Sequence, residues 1–89
     1  MEVKYRQLFL RDLKKLKRLP TYNQVYEISF TVLPEAESLR EVTGVKAMRA
    51  HQNRYRIRIG DYRIGIEVHG NNVEMMRVLH RREFYRYFP

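Results

Sequence analysis

Tyr55-Arg56-Ile57-Arg58-Ile59-Gly60-Asp61-Tyr62-Arg63-Ile64-Gly65-Ile66 is two alternating arms around a Gly-Asp turn. Alternation of apolar with polar residues marks a half-buried strand, and glycine at the first position of a two-residue loop suits a type II′ hairpin. With Gly60 and Asp61 as the loop, Ile59 faces Tyr62, Ile57 faces Ile64 and Tyr55 faces Ile66, a face that belongs to a core. The other face carries Arg54, Arg56 and Arg58 on one arm and Arg63, Gly65 and Glu67 on the other. Arg58 then stands opposite Arg63. Like charges facing across a strand pair are destabilising, so a face built this way calls for an anion.

Reading outward, His69-Gly70-Asn71-Asn72 is a turn, and Val73 to His80 is a largely apolar strand, suited to a central position covered on both faces. Glu2 to Arg6 reads as a short strand with Val3 and Tyr5 inward. Phe9, Leu13 and Leu16 recur at helical spacing, with Lys14, Lys15, Lys17 and Arg18 on the other side, and Pro20 stops that helix. Thr21 and Gln24 form a capping-box pattern for a second helix. Its inner stripe is Tyr22, Val25, Ile28, Ser29 and Val32, and Pro34 ends or bends it. Residues 35–53 read as a long connection with one irregular turn, and residues 81–89 as a short helical turn or tail. Strand, helix, helix and three strands make a single α+β domain over 1–89: an N-terminal strand and a helical hairpin packed on a curved, mainly antiparallel sheet. Helices cover one sheet face, so the arginine face is expected to be open. Gly65 there signals close approach by a ligand or another backbone, or equally a bulge or a simple lack of packing demand.

The formal net charge is +8, which favours a polyanionic partner. All five lysines lie at or before Lys46, and nine arginines and no lysine follow from Arg49 onward. Arginine is the better residue for bidentate phosphate contact and for stacking on bases, which places recognition in the second half. There is no cysteine, so neither a disulfide framework nor thiolate chemistry is expected. His51, His69 and His80 lack metal-ligand spacing, the four glycines form no phosphate loop, and Ser29 and Ser38 lie in no nucleophile elbow. With no apolar leader and no membrane-length apolar run, the expected setting is soluble and cytoplasmic.

His80-Arg81-Arg82-Glu83-Phe84-Tyr85 follows the last strand. A histidine exchanges a proton near neutral pH, an arginine stabilises charge on a phosphorus centre, and a tyrosine stacks on a base. Within six residues of a strand end, the three are placed to converge.

Together with the central hairpin and the early helical hairpin, this segment makes the whole chain resemble toxins of the RelE/ParE superfamily, the toxin half of type II toxin–antitoxin pairs. The RelE branch implies a ribosome-dependent mRNA endonuclease, metal-independent and without cofactor. In it an RNA 2′-hydroxyl attacks its own 3′-phosphate, leaving a 2′,3′-cyclic phosphate and a 5′-hydroxyl. By the resemblance, Arg63 and Arg81 hold the scissile phosphate, Tyr85 stacks on or orients the substrate, and Arg56 and Arg58 match the basic positions of the second strand; Arg54 and Arg82 join Arg56 and Arg58 as candidates for binding the RNA backbone. The family pattern has a lysine, proposed as general base, where this chain has Arg56. A guanidinium stays protonated, which leaves His80 or His51 for proton transfer, with His80 favoured, or a site that works by charge stabilisation and positioning. The implied partners are the ribosome, mRNA and a small antitoxin, in a hetero-oligomeric complex that binds its operator through the antitoxin. The alternatives are a ParE-like poison of DNA gyrase and a non-catalytic basic RNA-binding module.

Overall fold

The computed structural model describes residues 1–89. In chain order the elements are β1 (Glu2–Tyr5), α1 (Gln7–Lys15), α2 (Tyr22–Glu27), a π-helical segment (Ile28–Val32), α3 (Leu33–Glu35), a 3₁₀ turn (Leu39–Glu41), β2 (Val45–Ala47), β3 (Arg54–Ile59), β4 (Tyr62–His69), β5 (Asn72–His80) and α4 (Arg81–Tyr87). The strands form one five-stranded sheet in the order β1-β5-β4-β3-β2. β1 runs parallel to β5, and every other pair is antiparallel. The α+β class, the helical hairpin and the mainly antiparallel sheet are as the sequence predicts.

The central hairpin pairs in the register its alternation demands, with Ile59 opposite Tyr62, Ile57 opposite Ile64, Tyr55 opposite Ile66 and Arg58 opposite Arg63. Gly60 has φ +56 while Asp61 does not enter positive φ, the type II′ rather than the type I′ pattern. The connection over 35–53 needs a correction, because it contains an edge strand. Val45, Lys46 and Ala47 pair with Ile57, Arg56 and Tyr55. Three residues are too few to show a period, which is why this strand is silent in the sequence.

The second helix carries one correction. Thr21 has helical backbone (φ −72, ψ −17) and its side chain makes no cap bond, so the capping box does not form. Pro34 ends the helix as expected, one residue on at Glu35. The backbone widens first, so that Leu33 N–H donates to Ile28 C=O, five residues back. The same spacing would pair residue 34 with Ser29 C=O, but proline has no N–H to give. The hydroxyl of Tyr5 in β1 donates to that carbonyl instead, at 2.7 Å. Burial raises the Tyr5 pKa, with help from Tyr26, which keeps the hydroxyl in its donating form. That bond ties the helical hairpin to the sheet edge.

Most of the core lies between the helical hairpin and one sheet face. Phe9, Val25, Leu33, Ile57, Ile64, Ile66 and Met75 are fully buried there. The other face has its own small cluster, Met76, Phe84 and Phe88, flanked by Met48 and Leu79. A bulge in β5 makes both possible. Ile66 pairs with Met75 and Gly65 with Arg77, leaving Met76 extra between them. One extra residue reverses the side-chain phase. Val73, Met75 and then Val78 therefore reach the large core, while Met76 and Leu79 reach the small one. The strand is covered on both faces, as its apolar run suggests.

The expectation of an open arginine face is also corrected. α4 folds back onto that face and seats Phe88 on Gly65, where an added Cβ would lie 2.7 Å from the ring. The missing side chain at Gly65 makes room for the protein's own tail.

Candidate nucleic-acid interface

Three of the hairpin arginines are partly engaged within the fold. Arg54 pairs with Glu67, each of two nitrogens 3.0 Å from Oε2, and its guanidinium lies 5.5 Å from the Phe88 ring centre. His69 Nε2 approaches the other Glu67 oxygen at 2.7 Å. The His69 contact first, and then Arg54, holds the Glu67 carboxyl below the usual carboxylate range. Arg54 is therefore a strut beneath the tail as well as a surface cation. Arg63 donates to the carbonyls of Gly60 and Tyr62, at 2.7 and 2.9 Å. That turns it along its own hairpin and relieves the repulsion expected opposite Arg58, which is exposed. Arg56 donates to Gly44 C=O at 3.1 Å.

Across the face, register sets Lys46 beside Arg56, Arg56 beside Gly65 and Gly65 beside Arg77. Tyr85 projects from α4 with 60% of its surface exposed. It lines a shallow cleft of about 310 Å³ with Lys46, Met48, Arg49 and Arg56. An aromatic ring among three cations can stack on a base while the cations hold the phosphates beside it. Lys46 and Arg49 were missed because they lie in the stretch read as a connection. The only signal was that Lys46 is the last lysine before the run of arginines.

The 80–85 segment does not bring its histidine and tyrosine together. His80 ends β5 opposite Tyr62, with the rings edge to face at 5.3 Å and 81°. Its Nδ1 accepts the Arg82 N–H at 3.1 Å, capping α4. Its ring lines clefts with Leu19, Thr21 and Gln24 on the helical-hairpin side, whereas Tyr85 lines the cleft with Arg56. Arg81 sits between them at the hairpin tip. Its N–H donates to Asp61 C=O at 2.7 Å, and its exposed guanidinium lies 3.6 Å from the Asp61 carboxylate. Arg82 is exposed on α4, and His51 is exposed in the loop before β3.

One further pair escaped the sequence reading. Asp12, 5% exposed, is the single acid among the cations of α1 and its C-terminal turn. Its carboxylate takes two bonds from Arg77, at 2.8 and 3.1 Å, and a third from Val78 N–H at 3.1 Å. It so satisfies the edge of β5 beyond the end of β1. Those bonds raise the Arg77 pKa further, and the same guanidinium lies 5.6 Å from the Tyr87 ring centre in α4. A lone acid in a basic helix is the signal that would have found it.

Residues 3–85 match the family described as ParE toxin of type II toxin–antitoxin system, parDE. Toxin RelE3 of Methanocaldococcus jannaschii is 36% identical, with the whole of both chains aligned. The chain belongs to the RelE/ParE family of type II toxins. Among solved structures, the toxin of the RelB–RelE antitoxin–toxin complex from Methanococcus jannaschii superposes with a TM-score of 0.75 at 34% identity, over 97% of this chain and 99% of that one. The toxin–antitoxin complex RelBE2 of Mycobacterium tuberculosis gives 0.68 at 27% identity, over 90% of each chain. This RelE/ParE toxin is thus RelE-like, and both of those structures are complexes of a toxin with its antitoxin. No helix is long and apolar enough to cross a membrane.

Proposed function

We propose that this toxin is a ribosome-dependent mRNA endonuclease. The observation that carries the reading is the cleft in which Tyr85 stands exposed beside Arg56, Lys46 and Arg49, with Arg58, Arg63 and Arg81 at the hairpin tip. Tyr85 stacks on a base. Arg56, Arg58 and Arg82 take backbone phosphates, and Arg54 supports them by bracing the face. Arg63 and Arg81 stabilise the charge that builds on the scissile phosphate. The substrate supplies its own nucleophile. The 2′-oxygen bonds to phosphorus, the bond to the 5′-oxygen breaks, and the 2′-hydroxyl proton leaves while the 5′-oxygen gains one.

A proton acceptor is needed on the same side as Tyr85. His80 lines the other side of the tip, with one ring nitrogen already bonded to Arg82 N–H. Lys46 lies directly beside Arg56, and an amine, unlike a guanidinium, has an accessible neutral form. We therefore assign proton transfer to Lys46 ahead of His80. Primer extension on translated mRNA tests both. Lys46→Arg, which keeps the charge, and Arg81→Ala should each lower cutting at least ~100-fold, the scale of one acid–base or oxyanion group, in folded protein. His80→Ala should cost less than Lys46→Arg, and the reverse order returns the assignment to His80. DNA damage without mRNA cuts would instead identify a gyrase poison. The proposed partners are the ribosome with its mRNA and a cognate antitoxin that covers the arginine face or lifts α4 from it.

A further inference from the structure

Thr21 and Gln24 have the spacing of a capping box, yet Thr21 makes no cap bond. Both residues line a cleft of about 440 Å³ between the helical hairpin and the tip of the β3–β4 hairpin, facing Asp61, Tyr62 and His80. The cleft therefore holds an amide, a hydroxyl and a carboxylate. His80 adds a donor, because Nδ1 accepts the Arg82 N–H and a neutral ring then carries its proton on Nε2. Tyr62, set edge to face against His80, supplies an aromatic wall.

This donor and acceptor set beside a ring fits the edge and face of a single nucleobase. The Asp61 carboxylate repels a phosphate but accepts from an exocyclic amine. The same carboxylate lies 3.6 Å from the Arg81 guanidinium, so a base in the cleft belongs to a nucleotide next to the phosphate that Arg81 holds. We propose that the cleft formed by Thr21, Gln24, Asp61, Tyr62 and His80 recognises one flanking nucleobase carrying an exocyclic amino group, and so sets the sequence preference of cutting. This rests on the ribonuclease reading.

Gln24 is exposed on α2, so Gln24→Ala leaves the fold and the Arg56–Tyr85 cleft intact. Cut sites mapped on the same translated mRNAs should show the base preference at one flanking position flattened about fivefold, as one lost hydrogen bond implies. An unchanged pattern, or a uniform loss of rate, overturns the proposal. Weakened antitoxin binding with an unchanged cut pattern would also overturn it and assign the cleft to a peptide. A second measurement keeps the two readings apart. Cleavage-resistant 2′-O-methyl trinucleotides, with the flanking base present or abasic, are titrated while the Gln24 amide and His80 ring signals are followed by NMR. Shifts with the base and not with the abasic form support the pocket even if the wild type cuts no mRNA. Equal shifts, or none, remove it.

Discussion

The two faces of the sheet are held in different ways. The face under the helical hairpin closes on a cluster of 14 buried residues, while the face under α4 closes on three, Met76, Phe84 and Phe88. Polar clamps support the smaller side: Arg54 over Phe88, Arg77 against Tyr87, and His80 capping α4. Every residue lining the cleft between Tyr85 and Arg56 lies on that thinner side or at its rim. One face holds most of the buried core, and the other is covered by α4, from which Tyr85 projects. A helix held by so few buried residues is expected to open before the core does.

That contrast is sharpest for two phenylalanines. Phe9→Ala opens a cavity in the large core and should cost about 3–5 kcal/mol of global stability, read from the denaturant midpoint. Phe88→Ala removes the same atoms, but its loss is capped by the free energy that holds α4 down. It should shift the midpoint less than half as far while α4 amides lose their hydrogen-exchange protection. Equal shifts would mean that α4 unfolds only with the whole domain, and the division would fail.

The second prediction concerns the link between the faces. Asp12→Ala leaves Arg77 and the Val78 N–H without their acceptor and should cost about 2–3 kcal/mol. Because Arg77 also packs on Tyr87, α4 should loosen beyond the global loss. Asp12→Asn keeps one acceptor oxygen and should recover part of it. A third change acts on the thin face alone. Gly65→Ala drives a Cβ into the Phe88 ring, whose nearest atoms would lie 2.7 Å away. Overpacking typically costs about 1–3 kcal/mol. Here it should be released by lifting the tail, with exchange rising in α4 and staying slow at Ile57 and Ile64. Unchanged protection in α4 would show that the ring shifts aside without cost.

The same asymmetry explains what the sequence discloses. The β3–β4 register is legible to the residue because a two-residue turn and strict alternation leave one solution. The helical hairpin is legible because Phe9, Leu13 and Leu16 repeat at the helix period. The thin face is not. Phe84 and Phe88 read as a tail, since nothing local says that they fold back onto Gly65. Lys46 reads as loop because its strand is too short for a period, and the partner that buries Asp12 lies 65 residues away in sequence. In the candidate site, Arg56 and Tyr85 are legible because they lie in patterned segments. The separation of His80 from Tyr85 follows from the strand register and from the turn of helix between them, which spacing alone does not reveal.

The smallest effect probes the outermost clamp. Glu67 accepts from Arg54 and meets His69, and its pKa lies below the unfolded value. A carboxylate with a depressed folded pKa adds stability above its unfolded pKa, about 4.3 for glutamate, and loses it as pH falls through the folded value. The contribution should therefore be whole at pH 7 and vanish on the acid side of that figure. The partners are partly exposed, with side chains 28% and 23% accessible for Arg54 and Glu67, so solvent screening limits it to roughly 0.5 kcal/mol. Glu67→Gln should lower the pH 7 midpoint by that small amount and converge with the wild type once pH has fallen through the folded pKa. High salt should narrow the gap. Since Arg54 rests on Phe88, what is lost should show as faster exchange in α4 before it shows in the core. If Glu67→Gln loosened the core amides first, the clamp would belong to the core and not to α4, and the contrast between the two faces would have to be redrawn.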